Sequence, residues 1–403
     1  MPDTDTIKSY KKRFSDELFN SSIPFWLEHG LDKEFGGILT CLNREGKVTS
    51  HDKGGWQQGR AAWTFSRMCN QYGVKSDWLT FAESCLDFSK KHFIDPADGR
   101  MHFITTREGA PVRKRRYTNT ENFYLIGNAE CYRATGNEAY LKEARRLFEF
   151  LSGIYDGEKD PYYVTPKYMP ARQFRSFGGP MIGLDVCDVL LHADPEQADK
   201  YKSRIRKYVD DIFKYFYKED MGCVLEYTGL NGEFLTDWTL GREINPGHGL
   251  EGVWFLARAS EALDDPDILS KAKRMYSFCL ERGWDNEYGG ILMFVDALGY
   301  PPEKYEHDMK LWWVINEATC AALVLYKMTG KEEYWKDFEK FSAYYFDYFS
   351  DSKYGDCYGY LRRDGKPTEP IAKGNIYKGP FHNPRTLMLV DKILDELASN
   401  HHM

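Results

Sequence analysis

The stretch DKEFGGILTCLNREG at 32–46 returns much later in the chain as DNEYGGILMFVDALG at 285–299. Each copy holds an aspartate, an aromatic residue, a Gly-Gly pair, a short apolar run and a second glycine. Weaker copies are DPADGRMHFITTREG at 95–109, KEDMGCVLEYTGLNG at 218–232, DSKYGDCYGYLRRDG at 351–365 and, least clearly, DGEKDPYYVTPKYMP at 156–170. Repeated units of this length along one chain predict a repeat architecture.

Between these copies lie pairs of helical patterns separated by short turns, such as ATGNEAYLKEA from Ala134 and MTGKEEYWKDF from Met328. Each unit therefore consists of a helix, a tight turn, a second helix and a long hairpin-like loop. The patterns predict twelve helices, at 6–30, 55–73, 76–93, 120–135, 138–153, 178–193, 196–217, 247–263, 266–282, 310–328, 332–348 and 381–398.

The helical patterns alternate between two kinds of burial. The segment 332–348 is amphipathic, with one aromatic stripe, whereas 311–326 is apolar nearly all round. Half-exposed helices alternating with buried ones predict two concentric layers. We expect an all-α fold, an (α/α)6 barrel of six helical hairpins with short β-hairpin loops, as a single domain over 1–403. An open helical solenoid is the alternative, because local repeats do not fix closure.

The bulk composition excludes several classes of partner. The net charge is −7 and Lys and Arg are dispersed, which gives no basis for nucleic-acid binding. The sequence contains no run of 18 apolar residues, so we expect no membrane span. Nine cysteines without CxxC spacing indicate free thiols of a reducing compartment, and the N-terminus has no signal-peptide pattern, so we expect a cytoplasmic protein.

Ionisable residues stand at the starts of the six helices assigned to the inner layer. In a closed ring all six starts face the same side, and charged groups on apolar helices are typical of functional sites. The candidates are Arg60, Glu121, Asn122, Tyr124, His248, Glu251, Glu317, His382 and Arg385.

Two histidines occupy matching positions in this set. His248 lies in NPGHGLEGVWF at 245–255 and His382 in PFHNPR at 380–385. Two imidazoles on opposite walls of one cavity suit inversion at a carbon beside a carbonyl, where one face loses a proton and the other gains one. Glu251 could orient the His248 ring, although capping or core roles also fit each residue. The histidines lack HxxxH or HExxH spacing, so no metal site is expected.

The sequence resembles the N-acylglucosamine 2-epimerases, also called renin-binding proteins, over nearly its whole length. The shared motifs are WQQGR (56–60), INPGHGLE (244–251), WDNEYGG (284–290), KLWW (310–313) followed by Glu317, and FHNPR (381–385). The resemblance implies an (α/α)6 barrel, commonly a homodimer, that interconverts N-acetylglucosamine and N-acetylmannosamine through the ring-opened sugar. The resemblance further implies that the chemistry requires no cofactor, and that ATP acts as an activator in some members of the family.

The resemblance also assigns roles to individual residues. It makes His248 and His382 the acid/base pair and Arg60 the group that stabilises the developing oxyanion. The substrate-binding residues that it implies are Glu251, Glu317, Arg385, Asn122, Tyr124 and Trp313. Two departures, Ile315 within WWVINE and Asn122 within ENFY, bear on substrate choice more than on chemistry.

Three other functions stay open from the sequence. An aldose–ketose isomerase of the mannose type, or a 2-epimerase of cellobiose or mannose, would use the same histidines. A glycoside hydrolase would use Glu251 and Glu317 as its two carboxyl groups. A non-catalytic partner-binding protein would leave these buried ionisable groups without a task.

Overall fold

Twelve helices in six antiparallel pairs make up most of the protein in a computed structural model, which describes residues 2–114, 117–157 and 173–400. They are α1 (4–29), α2 (Gly55–Tyr72), α3 (Ser76–His92), α4 (Asn119–Thr135), α5 (Glu138–Tyr155), α6 (Gly178–Ala193), α7 (198–216), α8 (Pro246–Leu263), α9 (Pro266–Gly283), α10 (Trp312–Thr329), α11 (332–349) and α12 (His382–Asn400). The helices α1, α7 and α11 contain π-helical turns at Leu18–Ser22, Ile212–Phe216 and Tyr345–Phe349. All twelve helices lie close to their predicted positions.

The even-numbered helices form a closed inner ring. Each contacts the next along the chain, and α12 returns to contact α2. The odd-numbered helices lie outside, where α1 packs against α12 and Ser15 hydrogen-bonds to Asp391. Every residue of α10 from Trp312 to Tyr326 is buried, as its all-round apolar pattern predicts. The fold is therefore an (α/α)6 barrel, and the open solenoid is excluded.

Short antiparallel strands decorate the loops on the side where the inner helices begin. They are β1 (Leu42–Asn43), β2 (Lys53–Gly54), β3 (Ile104–Thr105), β4 (Pro111–Arg113), β5 (Arg175–Ser176), β6 (Tyr217–Lys218), β7 (Cys223–Val224), β8 (Tyr227–Thr228), β9 (Glu243–Ile244), β10 (Val295–Asp296), β11 (Lys310–Leu311), β12 (Tyr360–Leu361) and β13 (Ala372–Gly374). They form five two-stranded sheets, β1–β13, β5–β8, β6–β7, β9–β10 and β11–β12, and one three-stranded sheet, β2–β3–β4. Pairing of Leu42 with Gly374 joins the first loop to the last.

The repeated glycines of the loop motif have one structural cause. Gly37, Gly99, Gly222, Gly290 and Gly355 all have φ between +55° and +80°, a region that residues with a Cβ rarely adopt. Each glycine turns the chain back to form the hairpin. The least clear copy, at 156–170, lies almost entirely outside the described residues.

The repeated aspartates tie neighbouring loops together. In three copies the aspartate binds a lysine of the strand that precedes the next inner helix. It also binds an arginine of the next loop around the ring. The sets are Asp32 with Lys53 and Arg107, Asp285 with Lys310 and Arg363, and Asp351 with Lys373 and Arg44. The Arg44–Asp351 pair connects the sixth loop to the first and so reinforces closure.

Two further predictions concern the whole chain. All nine cysteines are buried free thiols. None of the helices in the described part of the chain combines the length and apolarity that a bilayer span requires.

Candidate active site

His248 is placed at the mouth of the barrel by the start of α8. The Asn245 side chain caps the helix by accepting from the His248 backbone N–H at 3.1 Å, and Pro246 occupies the first helical position. A Cβ at Gly247 would lie 2.6 Å from the Trp313 ring, so only glycine lets that indole approach the helix start. The turn residues around His248 thus serve both capping and placement.

The His248 ring is oriented by a glutamate from another loop. Its Nδ1 donates to Glu226 Oε2 at 2.9 Å, because an ionised carboxylate can only accept. The Nε2 atom is therefore the one left to act on a ligand. Glu251, which the sequence suggested for this task, binds Arg385 instead. Nothing in the sequence marks Glu226 beyond its place in the fourth loop copy.

The surroundings of His248 favour its protonated form. Burial lowers the pKa of His248, but the charge and hydrogen bond of Glu226, helped by Glu251, outweigh burial and raise it above 6.5. Burial also raises the pKa of the neighbouring Glu243 to about 7, although Lys304 binds it at 2.7 Å. This corner of the cavity is rich in carboxyl groups.

His382, the first residue of α12, has a similar contact in different surroundings. Its Nδ1 donates to Glu317 Oε1 at 2.7 Å, and Glu317 Oε2 accepts from Trp254 Nε1 at 2.8 Å. Burial, followed by the positive charge of Arg60, holds the pKa of His382 well below 6.5. The charge of Glu251 opposes this effect, whereas Arg385, whose Nη2 also binds Glu317 at 2.7 Å, adds to it. At neutral pH His382 is therefore a neutral imidazole with an unprotonated Nε2.

Arg385 holds together the carboxylates beneath the histidines. Its Nη2 donates to both Glu251 and Glu317. Glu251, Glu317 and His382 also place potential metal-ligand atoms within 4.8 Å of one another. The guanidinium supplies the positive charge that this cluster needs, so the residues fit an ion-pair network better than a metal site.

Trp313 brings the two histidines into one space. Its ring centroid lies 5.2 Å from that of His248 and 5.7 Å from that of His382. The two imidazoles, which come from α8 and α12, therefore flank the same indole. A ligand resting on this surface would meet both rings.

Arg60 is held by aromatic faces and has little hydrogen bonding. Its guanidinium carbon lies 4.1 Å from the Phe123 ring centroid and 4.8 Å from that of Phe381. Within the described residues, its Nε has no hydrogen-bond partner and Nη1 reaches only the Tyr377 carbonyl at 3.5 Å. Burial lowers the pKa of Arg60 to about 9, so the side chain stays cationic at neutral pH. Its donors are available to a negatively charged oxygen.

The structure does not bring Asn122 and Tyr124 to this cluster. Phe123 of α4 contacts Arg60, and its two neighbours lie about 100° to either side of it around the helix. The Asn122 amide donates to Thr118 at 3.3 Å, and Tyr124 is buried where Glu143 of the outer layer affects its hydroxyl. Substrate binding by Asn122 and Tyr124 therefore stays a prediction.

Glu121 also lies apart from the cluster. Its carboxylate accepts from Arg100 at 2.7 Å, and both side chains are fully buried. Glu121 therefore belongs to a structural ion pair of the second loop.

The sequence matches a known protein family over most of its length. Residues 36–378 match the family model described as N-acylglucosamine 2-epimerase (GlcNAc 2-epimerase). The N-acylglucosamine 2-epimerase of Bos taurus is 34% identical over 402 residues, covering 98% of this chain and 93% of that protein. The chain belongs to the N-acylglucosamine 2-epimerase family. It is accordingly a carbohydrate 2-epimerase, an isomerase.

Solved structures show the same barrel in related enzymes. The cellobiose 2-epimerase of Bacillus thermoamylovorans B4167 superimposes with a TM-score of 0.83 at 19% identity, covering 96% of this chain and 99% of that one. A D-mannose isomerase gives a TM-score of 0.79 at 16% identity, covering 97% and 98%. This N-acylglucosamine 2-epimerase family member therefore shares its fold with enzymes named for several sugars, and its substrate must be argued from its own site.

Proposed function

We propose that the protein interconverts N-acetylglucosamine and N-acetylmannosamine by moving a proton at C2 of the ring-opened sugar. The observation that carries the proposal is the pair of histidines on Trp313. Each has Nδ1 bound to a glutamate and, among the described residues, no hydrogen-bond partner on Nε2. The choice of an N-acylated sugar rests on the relatives named N-acylglucosamine 2-epimerase. These are 32–34% identical to this chain, against 22–26% for the cellobiose 2-epimerases.

The opposite pKa shifts give the histidines different starting roles. Neutral His382 takes the C2 proton through Nε2, and protonated His248 delivers a proton to the opposite face. After one turnover the two protonation states have exchanged, and proton exchange with water restores them. No other base is needed, since one proton leaves C2 and one returns.

Arg60 is suited to stabilise the intermediate. When the C2–H electrons move toward the C1 carbonyl, negative charge collects on oxygen as an enediolate forms. A cationic donor already desolvated among aromatic rings stabilises such charge without reorganising at the moment of reaction. Arg385, with Glu251 and Glu317 bound to it, fixes the floor on which His382 is oriented.

The test is incubation with N-acetylmannosamine, mannose and cellobiose in turn, with and without ATP, followed by chromatography of the products. We expect N-acetylmannosamine to yield N-acetylglucosamine. Conversion of mannose to fructose, with no turnover of N-acetylmannosamine, would replace the proposal with an aldose–ketose isomerase. That enzyme would use the same histidines but return the proton to C1. The parallel ATP arms test activation, and size-exclusion chromatography tests the expected homodimer.

A glycoside hydrolase is disfavoured by the state of its two candidate carboxyl groups. Hydrolysis needs one protonated acid and one free carboxylate across the bond. Glu251 and Glu317 instead bind the same arginine nitrogen, so they are not placed as two separate groups across a glycosidic bond. The same sugar assays would show release of glucose from cellobiose if this reading were correct.

A further inference from the structure

Asp185, on the third inner helix α6, has a buried carboxyl group beside the catalytic cluster of His382, Arg385, Glu251 and Glu317. It is 8% exposed, and its Oδ2 lies 3.8 Å from Arg385 Nη1. Arg385 uses its other terminal nitrogen, Nη2, for Glu251 and Glu317. One guanidinium therefore has three carboxyl groups around it, and Asp185 holds the most distant contact of the three.

On its other side Asp185 faces a second cavity. This cavity, of about 400 Å³, is lined mostly by residues from the C-terminal halves of the inner helices, with Arg385, Met388 and Leu389 from the first half of α12. Asp185, Trp254 and Arg385 all contribute to its wall. Trp254 and Arg385 also hold Glu317. Asp185 thus lies between Arg385 and this cavity.

The charges around Asp185 favour its neutral form. Burial raises the pKa of Asp185 to about 7, Arg385 opposes the rise, and Asp188 and Glu251 add to it. The charged and titratable groups on the helices around it are Arg60, Arg67, Glu130, Asp188, His192, Glu251, Arg258, Glu261, Glu317, Lys327, Arg385 and Lys392.

We propose that Asp185 is a positioning residue that acts through Arg385. Ionisation of its carboxyl draws Arg385 away from Glu251 and Glu317 and slows epimerisation. When Asp185 ionises, a third negative charge competes for the guanidinium that orders the support of His382. The same charge opposes the anionic intermediate that Arg60 stabilises. The second effect rests on the proposed function, whereas the coupling to Arg385 does not.

The test compares Asp185→Asn with wild type by kcat/KM at pH 6 and pH 8.5. The substrate is N-acetylmannosamine or whichever tested sugar is converted. Asn keeps the shape but cannot ionise, whereas wild-type Asp185 is largely ionised at pH 8.5. We expect the loss of kcat/KM between pH 6 and pH 8.5 to be about threefold or more greater in wild type. Glu130→Gln is the matched control: it removes a carboxylate from another wall of the same cavity, one that pairs with Arg67 at 3.3 Å and with Arg133 at 2.9 Å. Its pH profile should match that of wild type.

A second measurement needs no substrate and stands if the proposed sugar is wrong. An acid whose pKa is higher in the folded than in the unfolded protein loses stability as pH rises from about 4 through 7. The melting temperature of Asp185→Asn should therefore gain on wild type between pH 5 and pH 8, with Asp185→Ala as a second neutral variant. Equal loss of activity at both pH values, failure of both variants to fold, or unchanged pH profiles would each overturn the proposal.

Discussion

The His248 corner and the His382 corner of the active site share one plan but differ in charge. Each histidine lies in the first turn of an inner helix, and its Nδ1 donates to a glutamate from elsewhere in the chain. His248 keeps 31% of its side chain exposed and has Glu226, Glu243 and Glu251 around it. His382 is 7% exposed, and the cationic charge of Arg60 adds to its burial.

The role of each histidine is therefore set by the charges of its neighbours. The carboxyl-rich corner raises one pKa and the cation-bearing, buried corner lowers the other. The surroundings therefore favour an imidazolium at one corner and a neutral imidazole at the other, with both rings against the same indole. That is the state which removal and return of a proton on opposite faces requires.

Removing either histidine should have the largest effect. We expect His248→Asn and His382→Asn each to lower kcat for interconversion by about 10²–10⁴-fold, since each removes one of two proton-transfer groups. His307→Asn, in a loop outside the cluster, is the control and should retain full activity. If either site variant kept more than about a tenth of wild-type activity, the two corners would not be equal partners.

Removing the cation from the His382 corner should have the next largest effect. Arg60→Met is expected to lower kcat by about 10²–10³-fold, because it removes the donor for the enediolate oxygen. It should also raise the pKa of His382, since the Arg60 charge lowers it. The acid limb of the pH–rate profile would then move to higher pH. Arg67→Met, two turns along α2 and facing Glu130, should change neither quantity.

The His248 corner is altered by Glu226→Gln, which should change the opposite limb. His248 has a raised pKa, so its acid form is present at low pH and is lost as pH rises through that value. Loss of a charge-assisted hydrogen bond, worth about 1.5–3 kcal/mol, should move the alkaline limb to lower pH and reduce the rate at pH 8 about tenfold. Glu233→Gln in the same loop is the control. An unmoved alkaline limb would show that Glu226 does not set the protonation of His248.

The smallest effects are on stability, and their signs should be opposite. His382 has a lowered pKa when folded, so its stability contribution is lost as pH falls below 6.5. His248 has a raised pKa, so its contribution is lost as pH rises through that pKa. Relative to wild type, the melting temperature of His382→Asn should rise by about 1–3 °C toward pH 5, and that of His248→Asn by a similar amount toward pH 9. The same sign for both variants would contradict the charge asymmetry.

The sequence predicted the barrel because its signals are local and repeated. Glycines that require positive φ and alternating helix burial give the hairpins, and their number gives the ring. Closure itself depends on contacts between the chain's two ends, such as Arg44 with Asp351, which no local pattern contains.

The site was predicted in part for the same reason. His248, Glu251, Glu317, His382 and Arg385 belong to helix-start motifs, and the structure brings them together with Trp313. Glu226 and Asp185 could not be found, since one lies in a loop copy and the other within an apolar helix. Substrate binding by Asn122 and Tyr124 stays a prediction, because helix phase, which one residue shifts by about 100°, decides which side chain faces the cavity.

Whether the two histidines act on opposite faces of C2 is tested by running the reaction in deuterium oxide with wild type and both histidine variants. The deuterium at C2 is assigned by NMR. Wild type should place deuterium at C2 of both epimers. His248→Asn should exchange the C2 proton of one epimer without inverting it, and His382→Asn should do so for the other epimer only. Full-rate inversion by either variant, or wild-type product free of C2 deuterium, would contradict two histidines acting on opposite faces of one carbon.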